Sequence, residues 1–248
     1  MQSYIKTKVL NLYQPTDGYC YNSDTHFLYN FITQCLEQFK NIKGDILDIG
    51  SGSGVLGLLV AREYEKLNLH QIEIQNSFQF LTQKNSEING INNHLHKGDI
   101  LEYKFEKQFD FIVSNPPFYN SDVIKSENQN IKIARYNDNL PIDKFLQKVD
   151  KLLKPSGKFL FCYDVKQING IISAIDGTKL NLEAMQFLHP KASKEASLVM
   201  IYLRRNSKSK LKVLPPLIMF DDDHKFTNIV NNIYEKCATN SIKCEIEI

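Results

Sequence analysis

The chain has 248 residues, 42% hydrophobic and 23% charged, with a formal net charge of +2. That composition excludes a disordered or fibrous chain, and no apolar run approaches the ~20 residues needed to cross a bilayer. A pI near 8.1 excludes a wholesale basic nucleic-acid coat, although a local basic stripe can still act. The opening Met1-Gln-Ser-Tyr-Ile-Lys has no apolar stretch after it, which predicts no secretory signal; a cytoplasmic monomer with no membrane partner is expected. The cysteines, Cys20, Cys35, Cys162, Cys237 and Cys244, lack the close spacing of a zinc site, so free thiols are expected.

Residues 8–13 alternate like a strand, and Asp17-Gly18 is a turn dipeptide, because glycine supplies the positive φ of a tight hairpin. Residues 19–21 are the candidate returning strand. Ser23 or Asp24 then caps a helix whose Phe27, Leu28, Phe31, Ile32, Cys35, Leu36 and Phe39 recur at helical spacing. From Gly44 strands over 45–49, 70–74, 95–97, 109–113 and 158–163 interleave with helices over 55–64, 77–88, 143–153 and 168–175. Two more strands, 180–188 and 197–203, follow with no helix between them, so one is expected to run antiparallel at the sheet edge. Pro215-Pro216 stops regular structure, and 225–238 reads as a last helix. The fold class is therefore α/β, a mostly parallel sheet with helices on both faces. Residues 1–40 are expected to form a hairpin and helix extension packed on the core, and 41–248 the main domain.

Asp48-Ile-Gly50-Ser-Gly52-Ser-Gly54 joins the first strand of this unit to its first helix. Glycine lets the backbone turn sharply and approach a ligand closely. The run lacks the Lys-Ser/Thr of a phosphate loop, and the acid before it suits a cation. S-adenosylmethionine, with a sulfonium and an ammonium, meets that demand; a structural turn explains the glycines alone equally well. Glu73 ends the second strand, where such folds hydrogen-bond a ribose diol. Asp99, followed by Ile100, comes after the third and can accept from an adenine amino group. Three acids at three successive strand ends form a pattern that single surface acids do not. Asn115-Pro116-Pro117-Phe118 ends the fourth strand. The Asn115 amide oxygen and the Pro116 carbonyl can accept both hydrogens of one planar –NH₂, and Phe118 can stack on the base that carries it.

Asp48 to Gly54, Glu73, Asp99 and the Asn-Pro-Pro-Phe motif resemble the class I S-adenosylmethionine-dependent methyltransferases that modify exocyclic or amide nitrogens. The resemblance implies a Rossmann-like, seven-stranded sheet. It implies Asp48, Gly50, Gly52, Gly54, Glu73, Asp99, Ile100 and Asn115 around the cofactor, and Asn115, Pro116, Pro117 and Phe118 around the acceptor. Gln14-Pro-Thr-Asp-Gly-Tyr19-Cys-Tyr-Asn-Ser-Asp24, Ile133-Ala-Arg135 and Leu214-Pro-Pro-Leu-Ile-Met-Phe220 are similar to segments of the bacterial tRNA1(Val) (adenine-N6)-methyltransferases. The family usually carries Tyr where this chain has Phe226. The implied reaction methylates N6 of the adenosine 3′ of the tRNA anticodon, with Arg135 near the substrate and Tyr21 and Asp24 as a lid. Guanine N2 of ribosomal RNA and a protein glutamine are alternative acceptors, and a silent RNA-binding module is the alternative from another class.

Arg204, Arg205, Lys208, Lys210 and Lys212 form a cationic run. Beside a tRNA enzyme's active face it is expected to contact phosphates, with a solvated loop as the competing reading. The six histidines are read as unclustered, without a metal or general-base role.

Overall fold

The computed structural model describes residues 8–17, 19–116 and 140–246. The chain opens with β1 (Leu10–Pro15) and α1 (Ser23–Leu36). The main sheet is built from β2 (Gly44–Ile49), β3 (Leu67–Glu73), β4 (Asn93–Lys97), β5 (Phe109–Ser114), β6 (Leu153–Asp164), β7 (Leu180–His189) and β8 (Leu198–Arg205). Their order is β4-β3-β2-β5-β6-β8-β7, and the first five strands in that order run parallel. Two-residue strands, β9 (Lys212–Val213) and β10 (Leu217–Ile218), add to the outer side of β7. The seven-stranded α/β expectation thus holds, with two short additions.

The antiparallel strand is not at the edge. β8 pairs antiparallel with both β6 and β7, and β7 takes the outer place. The reason is burial: every residue from Leu198 to Leu203 is at most 3% exposed. A strand apolar on both faces needs neighbours on both sides and helices above and below.

The other described α-helices are α2 (Val55–Glu63), α3 (Asn76–Asn89), α4 (Ile142–Leu152), α5 (Ile168–Ile175) and α6 (Asn228–Cys237). α4 shows how the sequence makes its layer. Phe145, Leu146, Val149 and Leu152 recur on one face and are buried, while the other face carries lysines. The Phe145 ring meets Phe159 of β6, and the Lys158 ammonium lies 4.4 Å from the centre of the Phe39 ring beyond α1. Adjacent residues of a strand point to opposite faces, so α4 and α1 cover β6 from two sides.

The N-terminal hairpin does not form among the described residues. β1 pairs in parallel with β11 (Thr239–Cys244), from Leu10 opposite Thr239 to Pro15 opposite Cys244. Its other side is closed by two amides of α3. Asn85 accepts from the Tyr13 N–H at 2.7 Å and donates to the Tyr13 carbonyl; Asn89 does the same for Asn11 at 3.0 and 2.8 Å. Residues four apart on a helix thus meet residues two apart on a strand, which leaves no room for a returning strand. The α1 cap also differs from expectation: Asn22 accepts from the Asp24 N–H, one residue earlier than Ser23.

Three of the six histidines do cluster. Parallel pairing sets His70 opposite His94 and Ile72 opposite His96. The His70 ring stacks on His94 at 4.6 Å and on His96 at 5.3 Å, and His70 Nδ1 lies 3.0 Å from His96 Nε2. Among the described residues no group of three or more His, Cys, Asp or Glu is arranged to hold a metal ion. Burial, with Lys107 and the neighbouring rings, lowers the His70 pKa to about 4. The unfolded chain takes up that proton near pH 6.5, so this contribution to stability is present above about 6.5 and is lost as pH falls toward 4. The raised carboxyls of Asp48 and Glu73 act in the opposite direction, so the comparison is with His70→Gln. Denaturant melts between pH 4 and 6.5 should show a slope lower in that variant by up to about 1.4 kcal/mol per pH unit.

Candidate active site

The parallel register brings the ends of β4, β3, β2 and β5 to one edge of the sheet, with Lys97 opposite Glu73, Ile49 opposite Ile72 and Ser114 opposite Ile49. The loop after β2 turns on three glycines in the left-handed region, with φ of 65° at Gly50, 55° at Gly52 and 86° at Gly54. They are not equivalent. A Cβ at Gly50 or Gly52 would meet nothing within 4 Å, whereas one at Gly54 would lie 3.2 Å from Gln71 Nε2. Gly54 therefore serves close packing, and Gly50 and Gly52 leave open space over the loop. A further packing glycine, Gly57 in α2, has no sequence motif to mark it; a Cβ there would sit 2.8 Å from Asp48 Oδ2.

Asp48 is 1% exposed. Its Oδ2 accepts from the Gly57 N–H at 3.0 Å and from Gln71 Nε2 at 3.1 Å. Burial pushes its pKa up to about 7 against those two bonds, with the Glu73 charge adding. An acid this costly to ionise gains from a cation brought beside it. Glu73 is also buried, and burial raises its pKa although three backbone donors hold it. Gly52 N–H reaches Oε2 at 2.8 Å, and the Ile74 and Gln75 N–H groups reach Oε1 at 2.9 Å each. Glu73 thus ties the glycine loop to the end of β3. Asp99 follows β4, and its Oδ1 accepts from the Leu101 N–H at 2.8 Å, with Ile100 buried beside it.

A cleft runs over the loop, lined by Tyr19, Thr25, Asp48, Gly52, Phe78 and Asn115 among others. Asn115 stands half-buried just past β5, and Pro116 is buried. Tyr19, Thr25 and Phe78 were not singled out from the sequence. They come from the segment before α1, from α1 itself and from α3, and only packing brings them to this edge. Tyr21 lines the same cleft, with its hydroxyl 2.9 Å from Ser241 Oγ of β11. Pro117, Phe118 and Arg135 lie outside the described residues.

The cationic run is not beside this cleft. Arg204 pairs with Lys158 in the middle of β6, whereas Leu198 pairs with Asp164 at its carboxyl end. Because β8 is antiparallel, its last residues emerge at the opposite edge, about 20 Å away at ~3.3 Å per residue. Arg205 is also taken: Nε donates to Asp150 at 2.9 Å and a terminal nitrogen to the Leu153 carbonyl at 2.9 Å. Arg204 lies 3.8 Å from Glu183. Lys208, Lys210 and Lys212 are exposed.

Residues 29–167 match the methyltransferase small domain family. The tRNA1(Val) (adenine(37)-N6)-methyltransferase of Pedobacter heparinus is 30% identical over 158 residues, 62% of this chain and 67% of that protein. The Dyadobacter fermentans protein of the same name is 29% identical over 182 residues, 72% of this chain and 75% of that one. Among solved structures, a predicted O-methyltransferase from Agrobacterium tumefaciens superposes with a TM-score of 0.64 at 16% identity, covering 88% of this chain and 99% of its own. A ribosomal protein L11 methylase from Lactobacillus delbrueckii subsp. bulgaricus gives 0.58 at 18% identity, over 84% and 90%. Those two likenesses establish the fold alone. With more than half of its length matched and its glycine loop, strand-end acids and Asn-Pro pair on one sheet edge, the chain belongs to the methyltransferase small domain family.

Proposed function

We propose that this protein transfers a methyl group from S-adenosylmethionine to the exocyclic N6 of an adenosine in tRNA, the adenosine 3′ of the anticodon in tRNA1(Val). The observation that carries this reading is the placement of Asn115 in the same cleft as the Gly50–Gly52 loop. The family and the relatives' activity support the choice of substrate.

The residues present fit the cofactor. The space over Gly50 and Gly52 admits a ligand against bare backbone, and Asp48 offers a buried carboxyl that a positive group favours in its charged form. Glu73 and Asp99 stand at strand ends on the same sheet edge, and the ribose and adenine are assigned to them, with Ile100 next in the chain to Asp99. When bound, S-adenosylmethionine supplies an electrophilic methyl group. The chain's part is to place the acceptor nitrogen in line with it and keep that nitrogen's lone pair directed forward. Asn115 Oδ1 and the Pro116 carbonyl accept from the amino hydrogens, and those contacts strengthen as the nitrogen gains positive charge. By the resemblance of their motifs, Phe118 is assigned to stack on the base and Arg135 to contact the RNA near it. No strong base is required, since the proton leaves an already cationic nitrogen.

The test is transfer of label from methyl-labelled S-adenosylmethionine to purified tRNA, ribosomal RNA and release factor in parallel. Label in the N6-methyladenosine of tRNA is the expected result. Label only in guanine N2 or in a glutamine would overturn the substrate while keeping the chemistry.

Lys208, Lys210 and Lys212 are proposed as outlying phosphate contacts, away from the reacting edge. Replacing all three with Gln should flatten the log–log salt dependence of tRNA binding by roughly 0.7–0.9 per contact. Cofactor affinity should not change, and an unaltered slope would return these lysines to solvent.

A further inference from the structure

We propose that Thr25 and Cys162 are positioning residues that fix which way the Asn115 amide faces. The proposal rests on the reading of Asn115 given above. The Asn115 Nδ2 donates to Thr25 Oγ1 at 3.2 Å, and the Cys162 thiol donates to Asn115 Oδ1 at 3.0 Å. Thr25 is 4% exposed and Cys162 is 0% exposed, so both partners of the half-buried Asn115 amide are held in the packed interior.

An asparagine amide can present either end to a ligand, and the two ends are opposites. Its oxygen accepts from an amino group, whereas its nitrogen would meet that group donor to donor. Flipping would place Nδ2 against the thiol sulfur, a weak acceptor, and would give up the bond to Thr25 Oγ1 in its present sense. The two neighbours therefore favour the orientation in which Oδ1 keeps one lone pair for the substrate amine after the thiol has taken the other. Burial, with the Asp24 charge adding, holds the Cys162 thiol well above its usual range, so it remains a donor.

The two neighbours come from different parts of the chain. Cys162 belongs to β6, next to β5 in the sheet, and Thr25 to the first turn of α1. The helix that precedes the glycine loop thereby reaches the acceptor site directly. Neither residue need touch the substrate to act in this way.

The test separates orientation from folding and from the underlying site reading. Thr25→Val keeps the shape and removes the acceptor; it should lower kcat roughly tenfold, about the worth of one ordinary hydrogen bond, with KM for tRNA and cofactor affinity unchanged. Thr25→Ser should recover most of that loss. Cys162→Ala should act like Thr25→Val, and Cys162→Ser, which keeps a donor, should be milder. In an Asn115→Asp background the side chain has two equivalent oxygens and cannot face the wrong way, so adding Thr25→Val should change single-turnover rates little. If a Cys162 variant fails to fold, the infrared S–H band of the parent decides: Asn115→Ala should shift the Cys162 band toward that of a free thiol. Parent-like kcat in folded Thr25→Val and Cys162→Ala, alongside an inactive Asn115→Ala, would overturn this proposal alone. An active Asn115→Ala would overturn the site reading beneath it.

Discussion

Asn115→Ala is expected to abolish methyl transfer while S-adenosylmethionine still binds. In the proposed arrangement the two effects separate, because the amide oxygen is assigned to the acceptor amine and the glycine loop, Asp48 and Glu73 to the cofactor. Charge develops on the acceptor nitrogen only as the new bond forms, so the lost contact weighs on the transition state more than on the bound substrate. Losing one preorganised contact of this kind typically costs ~10²–10³ in rate. Removing the side chain also leaves the buried Cys162 thiol without its acceptor and Thr25 without its donor. Single-turnover methylation at saturating cofactor, beside calorimetric binding, checks both halves. Normal turnover on tRNA by the variant would mean that the acceptor is held elsewhere. Phe118→Ala should differ: the stacking role proposed for it would hold the base before and during transfer, so KM should rise as kcat falls.

Gly52→Val is expected to lower cofactor affinity by roughly 10²-fold or more, a cost of about 3 kcal/mol or more. A Cβ at Gly52 meets no atom within 4 Å, so the cost does not come from that atom's packing. The cost has two other sources. A φ of 55° is strained for a β-branched residue, at ~1–3 kcal/mol, and relaxing it would pull the Gly52 N–H from Glu73 Oε2. The branched side chain would also occupy the open space that the ligand needs. Calorimetry with S-adenosylmethionine on a variant that melts cooperatively gives the answer. Unchanged affinity would place the cofactor away from this loop. The same substitution at Gly54 should act mainly on stability, since its Cβ would press on Gln71 and Thr82 instead.

The strand-end part of the candidate site was legible in the sequence, for a local reason. A short apolar run followed by glycines, an acid at the end of the next strand and Asn-Pro after the fourth are each set by residues close together in the chain. Once the strands are parallel, their carboxyl ends must share one edge, and Asp48, Glu73, Asp99 and Asn115 follow without further information. The helix and strand alternation was legible for the same reason, since hydrophobic period is a property of ten or so neighbouring residues.

The sequence by itself therefore determined the class of fold, the glycine turn and the order of acids along one edge. Only the tertiary structure decided the partners that lie far apart in the chain. Asp17-Gly18 signals a hairpin, yet Asn85 and Asn89 occupy one side of β1 and β11 takes the other. The cationic run follows the last long strand, and only that strand's antiparallel insertion between β6 and β7 sends it to the edge away from Asn115. His70, His94 and His96 look scattered until parallel pairing of β3 and β4 stacks their rings. Thr25 reads as one more polar residue in the first turn of a helix until α1 packs against the end of β5. In each case a backbone or side-chain group could satisfy its bonding in several ways locally, and burial against a distant segment selected one of them.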